Sequence, residues 1–84
     1  MASNEEIEMR WIAVWNDLYD LIRNQPNMKC QLPDWSVVDV EECKGWLQDS
    51  VYQGYFVRVE LGWILGKPGV VASRWKDGDE AERN

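Results

Sequence analysis

Histidine is absent from this chain, and cysteine, proline and phenylalanine are scarce, at two, three and one residues. Without imidazole the commonest general base is missing. No Ser-His-Asp or Cys-His nucleophilic arrangement can be assembled either. Cys30 and Cys43 belong to no CxxC pair, which leaves little from which to build a zinc site. They read as free thiols of a cytoplasmic protein. Long apolar runs are absent too, so nothing approaches the length of a membrane span. The opening Met1-Ala2-Ser3-Asn4-Glu5-Glu6 is acidic and lacks the apolar stretch of a signal peptide. Gly62, Gly66 and Gly69 fit no phosphate-cradling glycine pattern. Asp77, Asp79 and Glu80 lack the twelve-residue spacing of a calcium loop. Clustered basic residues are also missing. With nine basic and fifteen acidic side chains, the net charge is −6. That balance disfavours direct binding to nucleic acid or to an anionic membrane. No cofactor is implied by any of these patterns.

What the chain does carry is aromatic bulk. Its 84 residues leave room for one domain and one core, and six tryptophans and three tyrosines are a heavy load for that length. Each large ring can bury about 150–250 Å². A domain this small needs such area simply to fold. Core packing is therefore the first explanation of any tryptophan here.

Two helices are expected. Ser3 and Glu6 form a capping box. Ile7, Trp11, Val14 or Trp15, Leu18 and Ile22 then recur at three- and four-residue steps until Pro26 ends the pattern. This places a helix at about 4–24. Asp39 and Glu42 form a second box, after which Val40, Cys43, Trp46, Leu47 and Val51 share a face and Gly54 closes the helix. That helix runs over about 39–53. Gly45 within it is expected to admit a close neighbour. Cys43 lies near the helix start, where a thiolate is favoured, but on the apolar face, where cysteines are inert.

The period then changes. Tyr55, Val57, Val59, Leu61, Trp63 and Leu65 alternate with more polar residues, which predicts a strand with that set facing inward. Gly66-Lys67-Pro68-Gly69 reads as a type II turn, and 70–76 as the returning strand. Met28, Cys30 and Leu32 alternate in the inter-helix connection, and Trp35-Ser36-Val37-Val38 is a candidate short strand. The fold class is α+β: two helices on a small antiparallel sheet ending in a β-hairpin (about 55–65 and 70–76). Residues 1–76 form the domain, and 77–84 read as a disordered acidic tail.

Trp11, Trp15, Trp46 and Trp63 are expected to meet in one aromatic core. Trp35 and Trp75 sit at segment ends, where burial is harder. Phe56, Arg58, Glu60 and Ile64 should point outward from the long strand, and a mixed apolar and charged strand face suits a contact surface. These six residues, Phe56, Arg58, Glu60, Ile64, Trp35 and Trp75, are the candidate partner-binding set. By elimination the chain reads as a non-enzymatic, acidic interaction or regulatory module for a protein partner, with strand-edge pairing offering a route to a homodimer. Two alternatives remain open. The acidic surface could occupy the basic groove of a nucleic-acid-binding protein, or an aromatic pocket could hold a small ligand.

Overall fold

A computed structural model describes residues 4–76. The elements run α1 (Asn4–Ile22), β1 (Cys30–Gln31), β2 (Val37–Val38), α2 (Val40–Tyr52), β3 (Phe56–Ile64) and β4 (Lys67–Trp75). Two helices and a four-stranded sheet of order β2-β1-β4-β3 give the expected α+β architecture. The cap expected at Ser3 and the acidic tail expected at 77–84 lie outside the described residues.

α1 forms where the apolar period demands it. Leu18 and Ile22 are buried, and Trp11, Val14, Trp15 and Leu21 are packed against the same core. α2 starts at Asp39, whose carboxylate accepts from the Glu42 N–H at 2.9 Å. It ends in a two-bond cap: Tyr55 N–H donates to Ser50 C=O and Gly54 N–H to Val51 C=O. Gly54 is left-handed there, as expected. Gly45 departs from expectation, since a Cβ at that position meets nothing within 4 Å.

The sheet is mixed rather than wholly antiparallel. β1 pairs β2 antiparallel and β4 parallel, with Cys30 opposite Val70 and Gln31 opposite Val71. The chain reverses at the β1–β2 turn, keeps that strand direction across the α2 crossover and reverses again at the final hairpin, so β4 returns in the direction of β1. Met28, Cys30 and Leu32 are buried, which matches their alternation. The strand anticipated near Trp35 is confined to Val37–Val38.

The hairpin turn also moves. It spans Leu65 and Gly66 at φ 53° and 80°, and Pro68 and Gly69 belong to β4. Two positive-φ residues match the right-handed strand twist better than a type II turn would. In a two-residue hairpin the flanking pair, Ile64 and Lys67, is hydrogen-bonded, and bonded and non-bonded pairs then alternate. Trp63 opposite Pro68 is thus a non-bonded pair, so the nitrogen of Pro68 faces away from β3 and no ladder bond is lost.

Both helices lie on the face of the sheet that carries Val57, Val59, Val70, Ala72, Cys30 and Val38, which pack with Leu18, Ile22, Cys43 and Leu47. The inward set is shorter than the alternation suggested. Leu61 and Trp63 share that pleat face but are 60% and 74% exposed. Conversely, Ile64, expected outward, is only 5% exposed. Its side chain fills the space left by Gly69, where a Cβ would lie 2.5 Å from Ile64 Cδ1. No single aromatic core forms. Trp11 and Trp15 stack at 6.5 Å, Trp46 packs against the core from α2 with Arg74 over its ring, and Trp63 stands in solvent.

Candidate contact surface

Among the described residues, no helix or strand covers the face of the sheet opposite the helices. Register places Phe56, Arg58 and Glu60 of β3 beside Trp75, Ser73 and Val71 of β4, with Gln31 and Val37 continuing the Val71 row. Of these, Arg58, Glu60 and Val37 are exposed and the others half-buried. Phe56 and Trp75 stack with centroids 6.1 Å apart. Arg58 lies over the Trp75 ring at 5.9 Å, and Arg10, reaching from α1, over Phe56 at 4.3 Å. Four of the six candidate residues therefore gather on one surface. Ile64 is at the other end of β3, buried, and takes no part.

The same end of the sheet carries a second group, around the sheet's edge on the helix side. Arg74 lies 4.3 Å from the Tyr55 ring and 4.9 Å from that of Trp46, and Lys76 is 4.6 Å from Tyr55. Arg74 also donates to Ser50 Oγ at 3.0 Å, while the Ser50 hydroxyl donates to Trp46 C=O at 2.8 Å. Ser50 is fully buried on α2 and fixes the guanidinium between the two rings. Sequence reasoning missed this group. The signal that could have found it is the crossing of Tyr55-Phe56-x-Arg58 with Arg74-Trp75-Lys76, aromatic against cationic on paired strand ends.

Trp35 occupies the β1–β2 turn. Because β1 and β4 are parallel, that turn lies at the Trp75 end of the sheet. Trp35 N–H donates to Leu32 C=O, and Leu32 N–H to Ser36 C=O. Asp34 caps the turn, accepting from Ser36 N–H at 3.0 Å and Ser36 Oγ at 2.6 Å. Those two bonds hold the Asp34 carboxyl below the usual carboxylate range. Trp35 itself sits at φ 71° and is 79% exposed.

No protein-family model, curated protein or solved structure matches the chain. Its chemistry must be read from its own side chains. Among the described residues no three metal-ligating groups come together, and no helix is long and apolar enough to cross a membrane. Cys30 and Cys43 are free and fully buried side by side. Their mutual hydrogen bond and burial push the Cys43 thiol upward, while the same bond draws Cys30 downward. The open grooves among the described residues include two. One of about 700 Å³ lies between Pro26, Met28 and the hairpin end at Ile64, Leu65 and Pro68. The other, about 600 Å³, has Trp15 and Tyr19 as its aromatic walls.

Proposed function

We propose that the protein is a non-catalytic interaction module, working in the cytoplasm, whose contact surface is the open face and Trp75 end of its sheet. Its partner is a protein presenting carboxylates beside apolar side chains. The observation that carries this reading is the concentration of Arg10, Arg58, Arg74 and Lys76 on aromatic rings at one end of a chain that is acidic overall. Guanidinium groups stacked on rings are held in place and can still use their edges for acidic groups. Arg10 already pairs with Glu6 at 2.9 Å and Arg74 donates to Ser50, so exposed Arg58 is the guanidinium best placed to meet a partner's carboxylate. Aromatics and arginine are also the residue types that dominate binding energy at protein contacts. Trp35 adds a ring held in solvent at the same end.

Arg58→Glu tests this on an exposed position. Tagged wild-type protein should retain a partner that the variant loses, with both giving the same folded circular dichroism spectrum. Retention of the same partner by Arg58→Glu removes this face from the contact.

A further inference from the structure

The edge of β3 offers a second, different kind of surface. β3 is nine residues long, pairs one-to-one with β4 throughout, and carries no bulge, proline or lysine. Such features ordinarily blunt an edge strand against pairing. Which backbone groups it presents follows from the ladder. Val70 N–H donates to Lys29 C=O, hence away from β3. Leu61, opposite Val70, is therefore in a non-bonded pair with β4, and its own N–H and C=O point out from the edge. Val57 and Val59 share that phase. Among the described residues no other element bonds to these groups. Arg10 lies over Phe56, so the open edge is counted from Val57.

We infer that this edge pairs with β3 of a second copy of the chain, antiparallel about a twofold axis through Val59. The inference rests on the reading of β3 as a contact strand and names one partner for it. Charge selects the register. With the axis at Val59, Arg58 stands opposite Glu60 of the second copy, and Glu60 opposite its Arg58. Moving the axis to residue 58 sets arginine against arginine, and to residue 60 glutamate against glutamate. Moving it one step further either way leaves both charges facing uncharged residues. The same register sets Val57 against Leu61 of the second copy, in hydrogen-bonding phase, and covers a leucine that the monomer leaves exposed. Arg58 and Glu60 fall in the closer, non-bonded pairs, where cross-strand charges interact best. Two four-stranded sheets become one of eight strands.

Sedimentation of the full chain tests this with paired charge reversals. Wild type should sediment at twice its 9.9 kDa mass. Arg58→Glu and Glu60→Arg should each weaken the dimer by about tenfold or more, since each sets like charges opposite one another. Mixing the two single variants should restore a dimer, and so should the double variant Arg58→Glu/Glu60→Arg. Leu61→Pro removes an outward N–H that β4 does not use, and should give a folded monomer by circular dichroism. A wild-type monomer, or single variants that dimerise as wild type does, overturns the inference. So do charge-restored combinations that stay monomeric. The proposed contact with a foreign partner is read separately through Trp75→Ala, which lies on β4, outside the pairing. Loss of the foreign partner there with the dimer intact tells the two surfaces apart.

Discussion

Trp35 adopts φ 71°, a left-handed conformation that costs a non-glycine residue about 1–2 kcal/mol. It does so while exposing most of an indole ring. Neither property helps the fold, since a glycine would serve the β1–β2 turn better. Strain of this sort is kept where a side chain is wanted outside. Trp35→Gly is therefore expected to raise stability by about 1 kcal/mol in urea melts while weakening partner capture. A loss of stability would show that the ring packs on the fold. The cysteines make the opposite case. Fully buried, they are shielded from reagent despite the position of Cys43 in the first turn of α2. Iodoacetamide at neutral pH should leave both unmodified in the native protein and label both in denaturant, as mass spectrometry would show. Rapid native labelling of Cys43 would revive a nucleophile.

At the scale of elements, Gly45 is the plainest weakness. It stands in the interior of α2 with nothing within 4 Å of an added Cβ. Gly45→Ala should stabilise the protein by about 0.5–1 kcal/mol in thermal or chemical unfolding. A destabilised variant would mean that some partner approaches this face of α2. Both helices were legible in the sequence because period, caps and breaker agreed at Asn4–Ile22 and Val40–Tyr52. The hairpin was legible as a pair of strands but not in its turn. Pro68-Gly69 is the louder local signal, yet strand twist favours a turn at Leu65-Gly66, and a proline is harmless where its nitrogen faces away from the ladder. Alternation along β3 also overstated burial. It reports pleat parity, whereas Leu61 and Trp63 are exposed because the hairpin continues beyond the packed layer. The parallel β1–β4 pairing, two residues long, has no sequence pattern of its own. Of the candidate surface, Phe56, Arg58 and Glu60 were readable from alternation and Trp75 from its place at a segment end. The Arg74–Tyr55–Trp46 stack was not, since it joins residues from three parts of the chain.

The whole molecule is asymmetric in charge. Acidic residues start both helices, Glu5 and Glu6 on α1 and Glu41 and Glu42 on α2, while four cations are seated on rings toward one end of the sheet. Such a distribution steers a partner's approach and orients it. An acidic inhibitor of a nucleic-acid-binding protein would dock through the carboxylates instead, so the docking end distinguishes the two. Photo-crosslinking from a single reactive residue locates that end whatever the identity of the partner. With the photoreactive residue in place of Trp75, a contact through the open face predicts a discrete adduct with a foreign protein, and none from the same residue in place of Gln48 on the exposed side of α2. An adduct from position 48 with none from position 75 would contradict it.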